Sequence, residues 1–293
     1  MDDLRRAAIA LYDRFTHDGM DRRVFIAEMT RLAGSAAAAS ALVAVIGASP
    51  AAAAIIPADD SRLVAEETSW RVTGGRTMKG YLVRPSQATT TLPAVMVIHE
   101  NRGLNEHIRD VARRAALAGY AALAPDFLSN TGGTPTDEDA ARAAIGKLDL
   151  AVSAADGVAT IDMLKDRVAT NGRVGVTGFC WGGGMTMRLA VAAGDAIRAA
   201  VPFYGPAPDP ALATQVAKTA LLIQLAGLDQ RVNATALPFA EALKAAGKDV
   251  TLKVHEGVNH AFHNDTSAER YNEAAAKEAW ALTVAFFDKH LKG

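Results

Sequence analysis

The residues with the clearest chemical pattern surround the chain's one cysteine, Cys180. Gly178 and Gly182 stand two residues before and two residues after it, and an apolar run over 174–177 precedes them. This spacing, at a predicted strand-to-helix junction, is typical of a nucleophile elbow, whose sharp turn exposes the nucleophile. A Cβ at either glycine would collide with the neighbouring strand or helix. The start of a helix behind Cys180 would also favour the thiolate over the thiol.

A nucleophile of this kind needs a base, and the base needs a group that orients it. In α/β-hydrolases the acid and then the histidine follow the nucleophile along the chain. Asp229 follows a predicted strand over 220–226, and His260 follows a predicted strand over 250–255. The carboxyl ends of parallel strands meet at one edge of a sheet, so both side chains should lie near Cys180. We predict that these three residues form the catalytic set.

Other residues offer alternatives to this catalytic set: a different acid, a metal site or a purely structural cysteine. Asp209, in a proline-rich loop, is a rival to Asp229, which could also be an ordinary turn residue. His255, His263 and Glu100 make a metal site conceivable, but no pair among them has a recognisable ligand spacing, so we predict no metal. The cysteine itself could be no more than a small buried hydrophobic residue.

Predicted strands and helices alternate along the chain, and these elements must position the candidate residues. Short β-rich runs are predicted at 78–84, 93–99, 120–124, 173–177, 199–204, 220–226 and 250–255. Helical patterns are predicted at 105–118, 137–166 with a break near 148–153, 182–193, 237–246 and 268–291. This alternation is typical of a mostly parallel sheet with helices on both faces. We predict an α/β-hydrolase fold over residues 59–293, preceded by a separate N-terminal segment over 1–58.

With these residues in place, the chain resembles the dienelactone hydrolase family over roughly residues 65–290. The resemblance is carried by His99-Glu100-Asn101-Arg102-Gly103-Leu104-Asn105, by the cysteine elbow and by His260-Ala261-Phe262. It implies hydrolysis of a carboxylic ester or lactone through a Cys-His-Asp triad and an acyl-thioester, with no cofactor.

The resemblance also implies roles for three further residues. Glu100 would hydrogen-bond the resting thiol and move away when substrate binds. The backbone N–H groups of Asn101 and Trp181 would form the oxyanion hole, where each donor is worth on the order of 3 kcal/mol. Arg102 and Phe262 are predicted to contact the substrate.

One departure from the family bears on the substrate. Family members that hydrolyse dienelactone hold its carboxylate with two arginines. The corresponding stretches here are Phe127-Leu128-Ser129-Asn130 and His263-Asn264-Asp265, and neither contains arginine. Neutral short-chain esters are therefore the alternative to dienelactone, with Arg102 as the nearby cation.

The N-terminal segment has the order of a twin-arginine export signal. Arg22-Arg23 precedes an apolar, alanine-rich run over 33–46, and small residues follow over 49–54. The apolar run is short for a membrane span, and the order predicts export to the periplasm. The alternative is a cytoplasmic protein that retains this segment, which begins with an amphipathic stretch over 2–14. It would then pack on the domain or form a homodimer.

Composition excludes some classes of function. The chain has 31 Lys and Arg against 32 Asp and Glu, a formal net charge of −1, so there is no basic surplus for nucleic-acid binding. A single cysteine cannot form an intramolecular disulfide. Two rivals to a hydrolase remain: a non-catalytic binding protein on the same fold, and a peroxide-consuming thiol protein that would need an external thiol.

Overall fold

An eight-stranded sheet forms the centre of the computed structural model, which describes residues 2–17, 20–47, 55–167 and 170–293. Its strands are β1 (Leu63–Arg71), β2 (Thr77–Pro85), β3 (Leu92–Ile98), β4 (Ala121–Asp126), β5 (Thr170–Phe179), β6 (Ala199–Phe203), β7 (Ala220–Ala226) and β8 (Val250–His255). Their order is β1-β2-β4-β3-β5-β6-β7-β8. β2 runs antiparallel to both β1 and β4, and all other neighbours are parallel. The predicted α/β-hydrolase architecture is confirmed.

In the described part of the chain, six α-helices follow β3, and five of them cover the two faces of this sheet. The six are α4 (Glu106–Leu117), α5 (Glu138–Ile145), α6 (Leu150–Asp166), α7 (Trp181–Ala192), α8 (Gln230–Ala245) and α9 (Glu273–Phe287). Side chains of α6, α7 and α8 join one apolar core, and those of α4 and α9 join the other. Strands β3, β4, β6 and β7 are almost wholly buried and apolar because both of their faces are covered.

Several boundaries differ from the predicted ones for local reasons. β1 was not predicted. It lies at the edge of the sheet and is largely exposed, so it has polar residues in place of the apolar run that marks the buried strands. β4 continues through Pro125 and Asp126, where a break was expected. α8 begins at Gln230, seven residues before the predicted start, and continues through Pro238.

Three helices precede the sheet: α1 (Asp2–His17), α2 (Arg22–Ala33) and α3 (Ala36–Gly47). They pack on one another through a small apolar core that includes Tyr12, Phe25 and Met29. Arg22 and Arg23 open α2, behind the N-cap Asp21. In the part of the chain that the structure describes, no single helix could span a membrane, and α2 and α3 meet such a test only as a pair bent by 108°. The small residues over 49–54, which are suited to signal peptidase in the predicted export signal, lie outside the described residues.

Candidate active site

Cys180 occupies the sharp turn between β5 and α7. Its φ of 56° and ψ of −114° are strained for a residue with a side chain, and its N–H donates to the Phe203 carbonyl at 3.0 Å. A Cβ at Gly178 would lie 2.3 Å from the Gly182 carbonyl oxygen. A Cβ at Gly182 would lie 2.5 Å from two backbone oxygens at the end of β3. The glycines are therefore needed for the close approach that the spacing predicted.

Asp229 and His260 lie beside this turn, each in the loop after its strand. Asp229 Oδ2 is 2.5 Å from His260 Nδ1, and Asp229 Oδ1 accepts from the Val232 N–H at 3.1 Å at the start of α8. Cys180 lines the same small cavity as His260 and is close enough to raise the pKa of its ring. The three residues are buried, so their polar groups depend on one another.

These contacts shift the ionisation of both partners. Burial would lower the pKa of His260, but its charge interactions and hydrogen bonds with Asp229 and Cys180 outweigh burial and raise that pKa to about 10. Burial would raise the pKa of Asp229, but the charge and hydrogen bond of His260 lower it. The arrangement favours an imidazolium beside the Asp229 carboxylate.

The loop after β3 is held by His99. Its Nε2 accepts from the Phe127 N–H at 3.2 Å, so Nδ1 carries the proton that it donates to the Glu100 carbonyl at 2.7 Å. Burial lowers the pKa of His99, which keeps the ring neutral. The ring stacks on Trp181, with 5.4 Å between centroids. His99 thus fixes the backbone that leads into Asn101.

Glu100 lies in the site with its carboxylate fixed on one side. Oε2 accepts from Asn264 Nδ2 at 2.6 Å, while the buried Oε1 accepts no hydrogen bond from the described residues. A hydrogen bond from the thiol to Glu100, which the resemblance implies, is therefore not made through Oε1.

Trp181 is the first residue of α7, so its backbone N–H belongs to the first turn of the helix, where N–H groups have no intrahelical acceptor.

Helix α1 closes the space in front of Cys180. Among the described residues, the cavity at the thiol holds about 10 Å³, which is room for about one water molecule. It is lined by Tyr12, Thr16, Glu100, Asn101, Arg102, Arg142, Cys180, His260, Ala261 and Arg270. Asn101 Nδ2 donates to the Thr16 carbonyl at 3.2 Å, which ties α1 to this loop. A second cavity of about 530 Å³, also lined by His260, lies between α1 and the Asp229 loop.

Sequence reasoning missed several residues of this site. Arg270 is buried beside Cys180 and forms an ion pair with Asp13 of α1. Tyr204, also buried, contacts the His260 ring edge-on at 5.1 Å, and its hydroxyl has no hydrogen-bond partner in the described part of the chain. Tyr204 directly follows β6 at the carboxyl edge of the sheet, so the rule that found Asp229 could have found it. No spacing in the sequence pointed to Arg270, Tyr12 or Asp13.

The two predicted substrate contacts differ in outcome. Arg102 lines the cavity at Cys180 and forms an ion pair with Glu138 at 3.1 Å. The prediction for Phe262 was wrong, because this ring is fully buried in the core against Tyr204 and His255. The preceding residue, Ala261, has a φ of 63°, and this turn directs the chain inward after His260.

The other candidate acid and the candidate metal ligands of the sequence analysis make contacts of a different kind. Asp209 is exposed and caps a short helical turn through the Ala211 N–H. His255 hydrogen-bonds Gln224, and His263 stacks on Phe179. Within the described ranges, no group of three or more His, Cys, Asp and Glu side chains has a geometry that could hold a metal ion.

Comparison with known proteins identifies the family and the fold. Residues 78–291 match the dienelactone hydrolase family. Protein usf of Aquifex pyrophilus is 35% identical over 224 residues, covering 74% of this chain and 95% of that protein. An Escherichia coli K12 protein, described provisionally as a carboxymethylenebutenolidase, is 31% identical over 83% of this chain and 93% of its own.

A solved structure from Klebsiella pneumoniae, described provisionally as a dienelactone hydrolase, superposes with a TM-score of 0.70 at 30% identity. It covers 78% of this chain and 99% of its own. Brefeldin A esterase, at 15% identity and a TM-score of 0.64, shares the fold. The chain is therefore a hydrolase of esters or lactones and belongs to the dienelactone hydrolase family.

Proposed function

We propose that the protein hydrolyses small, uncharged carboxylic esters or lactones, with Cys180 as the nucleophile. The observation that carries this proposal is the connected set at the elbow. Cys180 and His260 line one small cavity, and Nδ1 of His260 lies 2.5 Å from the Asp229 carboxylate. This is the order of nucleophile, base and orienting acid that acyl transfer requires.

In the first half of the reaction the Cys180 thiolate attacks the carbonyl carbon. The carbonyl oxygen becomes an oxyanion, which the backbone N–H groups of Asn101 and Trp181 stabilise. When the tetrahedral intermediate collapses, the bond to the alcohol oxygen breaks and His260 gives its proton to the leaving alkoxide. The product is an acyl-thioester on Cys180 and a neutral His260.

In the second half water hydrolyses the thioester. Neutral His260 takes a proton from water as the oxygen attacks the acyl carbon, and the same oxyanion hole serves again. Collapse releases the carboxylic acid and restores the thiolate beside a protonated His260. Asp229 keeps the proton of Nδ1 in place throughout, so that Nε2 faces the reacting atoms.

The ionisation of His260 supports both of its roles. Part of what raises its pKa to about 10 is the negative charge of Cys180. Acylation removes that charge, so the pKa of His260 falls in the acyl-enzyme and the ring becomes a better base. Glu100 is a further part of the proposal: before substrate binds, a neutral Cys180 thiol would donate to its buried Oε1, and movement of Glu100 would release the thiolate that pairs with His260.

The charges around the cavity support an uncharged substrate. Each of the three arginines that line it forms an ion pair with a carboxylate: Arg102 with Glu138, Arg142 with Asp139, and Arg270 with Asp13. Together with the missing arginines after β4 and after His260, this pairing favours neutral esters over dienelactone.

The test compares the wild-type protein and Cys180→Ala on 4-nitrophenyl acetate and dienelactone, with and without iodoacetamide. We expect the wild type to hydrolyse the acetate faster than dienelactone, and both the substitution and the alkylation to stop turnover. Circular dichroism of the variant serves as the folding control. Full activity in a folded Cys180→Ala protein would refute the cysteine mechanism, and preferred turnover of dienelactone would refute the substrate assignment.

A further inference from the structure

Helix α1 contributes residues to the active site although it lies outside the region that matches the family. The match spans residues 78–291, whereas α1 spans Asp2–His17. Tyr12 and Thr16 line the cavity at Cys180, and both are buried. The Thr16 carbonyl accepts from Asn101, whose N–H we assign to the oxyanion hole. The wall of the pocket that faces the thiol therefore comes from the N-terminal segment.

The most buried charge pair in this wall joins Asp13 to Arg270. Arg270 Nη1 lies 3.2 Å from Asp13 Oδ1, and the two side chains are only 5% and 15% exposed. The guanidinium also lies over the Tyr12 ring, 5.7 Å from its centroid. Arg270 is held in turn by Ser267, to which its Nε donates at 2.9 Å. The pair is a fixed, desolvated part of the site.

The other two cavity arginines are paired differently. Glu138 and Asp139, the partners of Arg102 and Arg142, lie on α5 with side chains 42% and 57% exposed. Water screens such exposed pairs, so they contribute little to the field inside the cavity. Asp13 is the buried partner, and its charge has the larger effect on an atom bound near Cys180.

We propose that Asp13 determines substrate charge: by neutralising Arg270 from α1, it excludes acyl groups that carry a carboxylate and reserves the site for uncharged ones. This inference rests on the proposed function. An anionic acyl group at Cys180 would meet the carboxylates of Asp13 and Glu100 with no unpaired guanidinium among the three that line the cavity.

Access to the thiol requires that α1 moves. The cavity at Cys180 holds about 10 Å³, far less than any ester, whereas about 530 Å³ lies between α1 and the Asp229 loop. An ester that enters between α1 and the catalytic loops therefore displaces Tyr12 and passes the Asp13–Arg270 pair. This path brings the charge of Asp13 next to every acyl group that reaches Cys180.

The experiment uses the full chain and two substrates of similar size that differ in charge, 4-nitrophenyl butyrate and 4-nitrophenyl hemisuccinate. Asp13→Asn should raise the kcat/KM ratio of hemisuccinate to butyrate about tenfold, because Arg270 loses its buried anion. The matched control is Asp3→Asn on the same helix, whose side chain is 94% exposed, and it should leave the ratio unchanged. The double variant Asp13→Asn/Arg270→Gln should lose the gain.

A second variant and a second readout keep the test decisive. Arg270→Gln alone leaves Asp13 unbalanced and should lower the ratio below that of the wild type, so the inference can be tested even if Asp13→Asn does not fold. Alkylation of Cys180 by iodoacetate and by iodoacetamide reports the same charge preference without ester turnover. Asp13→Asn should raise the rate ratio of iodoacetate to iodoacetamide.

The outcomes separate this inference from the proposed function. If no ester turns over but the alkylation ratio rises in Asp13→Asn, the proposed function fails and the charge selection stands. If the wild type hydrolyses esters and both ratios are the same in folded Asp13→Asn and in Asp3→Asn, the charge selection is overturned. A gain that survives in the double variant would also overturn it, since Arg270 would not be its source.

Discussion

The active site is built from two regions that are held in different ways. Cys180, Asp229 and His260 follow β5, β7 and β8, so the hydrogen bonds of the sheet fix their separation. The facing wall comes from α1, a helix outside the sheet. Its Tyr12 and Thr16 line the cavity at Cys180, and its Asp13 pairs with Arg270. The sheet therefore fixes where the three side chains of the proposed triad lie, and in our proposal α1 controls access to them.

The two regions also differ in how strongly they resist opening. The sheet side is continuous with two large apolar cores. The described contacts from α1 to the domain are mainly polar: the Asp13–Arg270 pair, the Thr16–Asn101 hydrogen bond and a partly exposed ion pair of Arg5 with Glu269. Single hydrogen bonds and exposed ion pairs cost less to break than core packing, and the buried Asp13–Arg270 pair is the strongest of these contacts. We expect α1 to open without loss of the sheet.

The largest loss of activity is expected when a residue held by the sheet is changed. Asp229→Asn keeps the shape of the side chain but removes the charge that orients His260, so we expect kcat on 4-nitrophenyl acetate to fall about 10⁴-fold. Asp209→Asn, the exposed rival acid, serves as the control and should stay near wild type. Equal activity of the two variants would remove Asp229 from the proposed triad.

The turn itself should be equally intolerant of change. In Gly182→Ala the new Cβ would lie 2.5 Å from the His99 and Ile98 carbonyl oxygens, which are backbone atoms and cannot rotate away. We expect the free energy of unfolding in urea to fall by about 3 kcal/mol or more. Gly146→Ala is the control, since its Cβ would stand 3.4 Å or more from its neighbours. A small loss of unfolding free energy in Gly182→Ala would show that the elbow can accommodate a side chain at this position.

A smaller effect is expected on the α1 side. Tyr12→Ala removes the ring that lines the cavity at Cys180, so iodoacetamide should alkylate the thiol about tenfold faster, while the sheet remains folded. Leu4→Ala, at an exposed position of the same helix, should alkylate at the wild-type rate. An unchanged rate in Tyr12→Ala would mean that α1 does not limit access.

The smallest change concerns the ionisation of His260. Its pKa of about 10 depends partly on Cys180, so Cys180→Ala removes an anion that favours the imidazolium and the pKa should fall. Titration of the ring by NMR measures this shift, with His290 as an internal reference remote from the thiol. In the wild type, kcat/KM should decline as the pH rises through about 10, because His260 then loses the proton that it donates. An unshifted pKa in the variant would contradict the coupling.

Prediction from the sequence placed side chains correctly where their position follows from local spacing. The Gly-x-Cys-x-Gly elbow, and loops placed directly after apolar strands, put Cys180, Asp229 and His260 at one edge because parallel strands share a direction. It failed at Phe262, where the left-handed turn at Ala261 directs the next side chain into the core. The twin-arginine signal, and with it export, stays a prediction.

The sequence by itself determined the fold class, the family and the edge of the sheet where the chemistry is placed. These properties depend on periodicity and on short motifs, in which the interacting residues are close along the chain or fixed by the strands. Only the tertiary structure decided that Asp13 meets Arg270 across 257 residues and that Tyr12 covers Cys180. The sequence of an amphipathic helix predicts which of its faces is buried. It does not predict the surface on which that face packs, because many apolar and charged surfaces can accommodate the same face.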